Sequence, residues 1–168
     1  MVEVRHLNID DLAAVRYVLT TAVASAAPSH YAPAEVKAFR EFVCSPRYAD
    51  LLLGNPSYTA WIDNEMVGTA AWSPGEPPSP TARILAVFVQ PMSAGDGIGR
   101  MLVERIEDEA HAAGYRALNL SATLNAAGFF DALGYWVTGE GGWALPSGCA
   151  IPVVFMRKVD LHVERAAS

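Results

Sequence analysis

Apolar and polar positions alternate with several different periods along this chain, and each change of period marks an element. Val2 and Val4 alternate with Glu3 and Arg5, the two-residue repeat of a half-buried strand. After Asp10 and Asp11, which can cap a helix, Leu12, Val15, Val18, Leu19 and Val23 recur at helical spacing until Pro28. Beyond a linker from Ser25 to Pro33, the pattern predicts a second helix over Ala34 to Val43. A third, short helical piece follows over Pro46 to Leu53, stopped by Gly54-Asn55-Pro56. Tyr58 to Ile62 and Met66 to Ser73 read as strands joined at Asp63-Asn64-Glu65, a hairpin. Pro74 to Pro80 is too rich in proline for regular structure and reads as a rigid loop.

The next stretch organises the rest. Ile84 to Val89 is an apolar, branched run stopped by Pro91, a buried strand. Gly95-Asp96-Gly97-Ile98-Gly99-Arg100 follows and opens a helical pattern. Ile98, Met101, Leu102, Ile106, Ala110 and Ala113 are expected on its buried face, with Arg100/Glu104 and Arg105/Glu109 four apart on the wet one. Leu118 to Tyr135 then reads as a short strand, a loop, a short helix and the start of another strand. Ile151 to Val159 is the last strand. This order suits a mixed α/β fold.

A strand that feeds a glycine-rich turn at a helix start makes an anion seat. The first helical N–H groups have no partner inside the helix, the peptide dipoles make that end positive, and glycines clear the space in front. A Walker loop would need a Gly-Lys-Ser/Thr ending, which is missing. A dinucleotide fingerprint fits poorly too, since the third glycine comes one residue early and Ala117 to Leu120 carries no acid. Val89-x-Pro91 followed by Gly95-x-Gly97-x-Gly99 resembles motif A of the GNAT superfamily of acyl-CoA-dependent N-acyltransferases. Asn125, Phe129-Phe130 and Gly134-Tyr135 are similar to the same family's motif B, and Ile151 to Val159 looks like its last strand.

The resemblance implies one GNAT-like domain over residues 1–168, with a mixed, twisted central sheet of six to seven strands and helices on both faces. Two central strands would splay apart to admit the pantetheine arm of acetyl-CoA, the acyl donor. The backbone of Val87, Phe88 and Val89 would pair with that arm. Gly95, Asp96, Gly97, Ile98, Gly99 and Arg100 would hold the pyrophosphate, and Asn125, Phe129 and Phe130 would complete the cofactor side. The implied reaction moves an acetyl group to a primary amine of a small molecule or peptide, by direct attack in a ternary complex. A backbone N–H near Phe88 would meet the carbonyl oxygen. The other reading is a CoA-binding GNAT-like protein with weak or no transferase activity, a sensor or regulatory partner.

Three departures favour that second reading. Ala94 stands where motif A carries Arg or Gln, Phe130 where many members carry a proton-donating Tyr, and Ser121 where some carry a base Glu. Asn125 also lies closer to the aromatic pair than in longer versions of motif B. Replacement catalytic groups remain unassigned. Glu76 in the proline-rich loop is a candidate base through water, and His30 in the linker titrates in the useful range. Ser121 and Tyr135 complete the candidates, Tyr135 as a proton donor if it faces the cleft.

Composition narrows the partners. The 168 residues carry a net charge of −6, which argues against a nucleic-acid footprint and gives slight attraction to cationic amines. Hydrophobic residues make up 52%, yet no apolar run approaches a membrane span. The first residues lack signal-peptide architecture, so a cytoplasmic setting is expected, with a homodimer left open. Cys44 and Cys149 match no metal spacing and are expected as reduced thiols. His6, His111 and His162 are scattered, so no metal is expected. Trp61, Trp72, Trp136 and Trp143 fall in or near strands, most of them expected in the core, with one or two near an acceptor pocket.

Overall fold

The computed structural model describes residues 1–161, so His162 lies outside the described residues. Strand β1 (Glu3–His6) leads to α1 (Leu12–Ala26), α2 (Pro33–Val43) and α3 (Pro46–Leu53). The hairpin β2 (Ser57–Ile62) and β3 (Glu65–Ser73) follows, then β4 (Thr81–Val89) and α4 (Ile98–Ala112). The chain closes with β5 (Ala117–Thr123), α5 (Ala127–Ala132), β6 (Trp136–Ala144) and β7 (Ala150–Val159). The seven strands form one sheet in the order β1-β2-β3-β4-β5-β7-β6, antiparallel except where β4 meets β5. The mixed α/β order is what the residue pattern predicts, and the seven strands with helices on both faces are what the resemblance implies.

Several local expectations shift. The cap before α1 is Asn8, whose side chain accepts from the Asp10 amide while the Asp11 carboxylate accepts from the Asn8 amide. Asp10 and Asp11 lie instead in a 3-10 turn that precedes the helix. The hairpin turns on two residues, Asp63 and Asn64, both at positive φ, the form that matches the twist of the flanking strands. Strand β4 starts at Thr81, three residues before its apolar run, because Arg83 can lie on an open face.

Two cores sit on either side of the sheet. Leu102, Val103 and Ile106 of α4 pack on Ile84, Leu118 and Leu120, while Val18, Leu19 and Phe39 of α1 and α2 pack on Ala71, Ala86 and Val153. The buried face of α4 is displaced from the predicted one: Met101 is exposed, as is Ala113, and Val103 and Glu107 are buried. A face wide enough to cover a sheet takes in neighbouring positions that a narrow three-four count omits. Glu107 is tolerated there because Lys158 Nζ stands 3.1 Å from its carboxylate and the Tyr135 hydroxyl donates to it at 2.8 Å.

Candidate active site

Strands β4 and β5 pair only at Thr81–Ala117, Ala82–Leu118 and Arg83–Asn119. Beyond that level each is held by its outer neighbour alone, β4 by β3 up to Val89–Gly68 and β5 by β7 up to Thr123–Val153. The sheet is therefore parted between its two central strands. The Gln90 N–H donates to the Val67 carbonyl at 2.8 Å. Hydrogen-bonded and non-bonded pairs alternate along an antiparallel ladder, so Phe88, opposite Thr69, bonds into the ladder as well. Val87 and Val89 turn their N–H and C=O groups toward the gap. The expected donor near Phe88 is thus corrected: its N–H belongs to β3.

The turn after β4 delivers the chain to α4 with the geometry an anion needs. Gly97, at φ 80°, is the residue before the helix, and no side chain caps that end. A Cβ at Gly97 would meet nothing within 4 Å, so the space in front of the amides is clear. A side chain there would intrude on that space and adopt a strained backbone. Asp96 is a correction of another kind. Its N–H turns back to the Ser93 carbonyl at 3.3 Å, while the amides from Gly97 to Arg100 remain donors at the helix start and Gly95 lines the cavity beside them. Ile98 contributes backbone only, since its side chain is buried in the α4 core. Arg100 pairs with Glu104 at 3.6 Å across an exposed helical turn, a weak contact that an anion can outbid.

A cavity of about 420 Å³ lies over this turn, walled by Val87, Val89, Gly97, Asn125, Phe129 and Phe130, among others. Gly99 is required for that wall: a Cβ there would stand 2.9 Å from the Phe129 ring. Phe130 is buried edge-on between Phe129 and Tyr135, with ring centroids 5.0 and 5.6 Å away. On the opposite side of the sheet a cavity of about 240 Å³ lies against α1 and α2. The two share Val87, Val89, Ala94, Asn125 and Ala126 as a common wall. A narrow space of about 60 Å³ within the gap shares Thr123 with the second cavity and adds Ser121, Tyr48 and Trp143.

The proposed acid–base groups fare unevenly. Tyr135 is fully buried and its proton is directed at Glu107, so it faces the core and not the cleft. Glu76 belongs to the loop before β4, which the Tyr115 hydroxyl ties down by donating to the Gly75 carbonyl at 2.9 Å. That loop sits at the closed end of the splay, away from the cavities. His30 is exposed at the end of the α1–α2 linker and lines none of the three spaces. Ser121 does reach the gap, where its Oγ accepts from Arg83 Nη2 at 2.7 Å. No Asp, Glu or His lines any of the three spaces. Among the described residues no cluster could hold a metal ion, and no helix is long and apolar enough to cross a membrane.

Tyr31 stands beside His30 in the α1–α2 linker, but residue order does not say what its hydroxyl meets. Its hydroxyl accepts from the Leu124 N–H at 2.9 Å and donates to the Pro152 carbonyl at 2.6 Å, joining the start of α2 to the loop after β5 and to β7. Burial raises its pKa; the Leu124 bond opposes that rise and nearby Glu35 adds to it. Burial also raises the phenol of Tyr48 far above the ordinary tyrosine value. Only the tertiary fold brings these partners together across more than ninety residues, beyond the reach of any local pattern.

Known proteins share this fold. A crystal structure of a GCN5-related N-acetyltransferase from Rhodopseudomonas palustris, described also as an aminotransferase, class II, superposes with a TM-score of 0.83 at 22% identity over 94% of each chain. PaiA N-acetyltransferase from Thermoplasma acidophilum, solved with coenzyme A, gives 0.72 at 16% identity over 95% of this chain and 99% of the other. In sequence, an IAA acetyltransferase of Azospirillum brasilense is 65% identical over 34 residues, which span 20% of this chain and 22% of that protein. The sequence model of the acetyltransferase (GNAT) family matches residues 20–135, from α1 through the end of motif B. This chain belongs to the GNAT family of acetyltransferases.

Proposed function

We propose that this protein transfers an acetyl group from acetyl-CoA to the primary amine of a small molecule or peptide, by direct attack within a ternary complex. The observation that carries this reading is the pair of cavities meeting at the parted strands, one beside the α4 N-terminus and one beside α1 and α2. Two substrates entering from opposite faces would meet across Val87 and Val89 without passing each other. That is the geometry of a single direct transfer.

Bound acetyl-CoA supplies a thioester carbonyl and a leaving thiol with a reference pKa near 8.5. The amides of Gly97 to Arg100 donate to the diphosphate, assisted by the positive end of α4. Val87 and Val89 offer strand-like hydrogen bonds to the arm, and the second of these N–H groups left over can face the carbonyl oxygen. Asn125 and Phe129 close the cavity over the turn and exclude water from it. With no carboxylate or imidazole at the gap, the acceptor amine arrives neutral and its proton leaves to solvent past Ser121 and Thr123. The free thiols Cys44 and Cys149 suit a reducing, cytoplasmic setting, which belongs to the same reading.

Release of free thiol from acetyl-CoA, measured across a panel of amines, tests the proposal. Amine-dependent release is expected, with kcat/KM rising with pH toward the acceptor's own pKa. The absence of an acid–base group at the gap also supports a second reading, a CoA-binding sensor. Tight CoA binding with no thiol release for any amine would establish that reading in place of the transferase.

A further inference from the structure

The acceptor side carries an arginine row that the transfer reaction itself does not use. Register places Ser73, Arg83, Asn119, Arg157 and Trp136 side by side across five strands at the closed end of the splay. Leu118, Leu120 and Ala122 point into the α4 core, so Asn119, Ser121 and Thr123 point to the opposite face, where Thr123 lines the α1–α2 cavity. Arg83 and Arg157 share that face. Arg83 Nη2 donates to Ser121 Oγ at 2.7 Å, and Arg157 Nη1 donates to Asn119 Oδ1 at 2.9 Å and to Thr81 Oγ1 at 3.3 Å. These bonds orient each guanidinium through one nitrogen, out of five N–H donors apiece.

Neither arginine has an acidic partner among the described residues, although the chain as a whole carries a net charge of −6. Two like charges held in one row by neutral partners make a local positive field. Around the row, Phe155 and Trp136 keep exposed ring surface on this face, 38% and 45%. The Phe155 ring leans over the bare backbone of Gly141, where a Cβ would stand 2.6 Å from it. The ring is thereby drawn toward β6, away from the floor at Ser121. That floor continues into the gap, since Ser121 lines the same narrow space as Val87 and Trp143.

We propose that Arg83 and Arg157 form a carboxylate-binding subsite for the acceptor, whose substrate is then an amine with a flat apolar body and a carboxylate at its far end. The inference rests on the transferase reading above and names the acceptor class for that site. Arg83 lies four residues below Val87, about 13 Å along the strand, and the arginine side chain spans part of that distance. An acceptor about one aromatic ring long fits between. A polyamine is disfavoured on the same grounds, because the spaces around the gap offer it no carboxylate and the row repels its second charge.

The test compares 4-(aminomethyl)benzoate with 4-(aminomethyl)benzamide, which differ only in the charge at the far end. In the wild-type protein, kcat/KM for the carboxylate is expected to exceed that for the carboxamide by about tenfold or more, as a charge-assisted guanidinium contact would give. In R83Q and R157Q that ratio should fall, and in the double variant it should approach one. CoA affinity by calorimetry serves as the measure of intact folding. R83K should restore part of the ratio, since it returns the charge without the planar fork. Equal rates for the two amines in the wild type, or a ratio that survives in the double variant, would overturn the subsite. If no amine releases thiol, the transferase reading fails separately, and calorimetry of 4-(aminomethyl)benzoate on the CoA-bound protein decides the subsite. Binding lost in the double variant supports it, and no binding to the wild type overturns it.

Discussion

The two sides of the parted sheet are built from different material. On the proposed donor side, the groups assigned to acetyl-CoA are main-chain amides: Val87 and Val89 at the gap, then Gly97 to Arg100 at the start of α4. On the acceptor side the groups are side chains gathered from distant strands and helices, Arg83, Ser121, Arg157, Tyr31 and Trp143. A backbone site needs little from the sequence beyond glycines at set places, and one short stretch contains them all. A side-chain site needs a tertiary fold before it exists.

The sharpest way to break this contrast lies in the single part of the donor side that depends on side chains. Helix α5, which carries Phe129 and Phe130, is moored at its far end by Lys158, whose Nζ donates to the Leu133 carbonyl and pairs with buried Glu107. Lys158→Met would leave a buried carboxylate without its cation, at a cost of about 3–5 kcal/mol in denaturant unfolding. If the variant still folds, its CoA affinity should fall as well, because the wall over the turn loses its anchor. Unchanged stability would mean that Glu107 stays satisfied without Lys158, the Tyr135 hydroxyl among its remaining contacts.

A smaller effect sharpens the donor side directly. Gly97→Val should lower CoA affinity by about 100-fold, roughly the loss of two charge-assisted contacts. The positive φ should cost about 1–2 kcal/mol of stability on top of that. Calorimetry and thermal melting measure the two separately. Unchanged affinity would remove the diphosphate from this turn.

The smallest expected effect falls on the acceptor side. Tyr31→Phe deletes a hydroxyl that bridges Leu124 and Pro152, leaving a half-buried N–H without this partner, at about 1 kcal/mol. The alkaline limb of stability carries the same signature. Burial raises the Tyr31 pKa above 10.0, so the folded state holds its proton more tightly than the unfolded one. That contribution is complete below pH 10.0 and is lost as pH climbs from there through the folded value. Wild-type stability should thus fall more steeply above this point than that of the Phe variant. Parallel curves would mean that Tyr31 does not supply this limb.

How much could be read beforehand follows from the same contrast. Most strands and helices are legible as a change of period, because burial on a sheet face or a helix stripe repeats along the chain, whereas glycine-rich β6 shows only its start. Errors gather where a local rule has competing solutions. Asn8 caps in place of the two aspartates, and Glu107 enters a core because Lys158 arrives from a strand fifty residues later. The donor turn was legible through its glycines, though not that Asp96 would spend its amide on Ser93 or that Phe88 would face β3. Ladder phase is set by register, and register is a property of two strands. Glu76, His30 and Tyr135 were named for their chemistry, and chemistry says nothing about which end of a sheet a loop will reach. Arg83 and Arg157 are seventy-four positions apart and become a pair only when β5 is laid between β4 and β7.

Amide hydrogen exchange with and without CoA tests the central claim most directly. Val87, Val89 and the amides from Gly97 to Arg100 should gain protection on binding, while Phe88, already bonded into the ladder with β3, should keep the protection it has. Gains confined to other segments, or a gain at Phe88 with none at Val87 and Val89, would contradict the placement of the donor in the parted sheet.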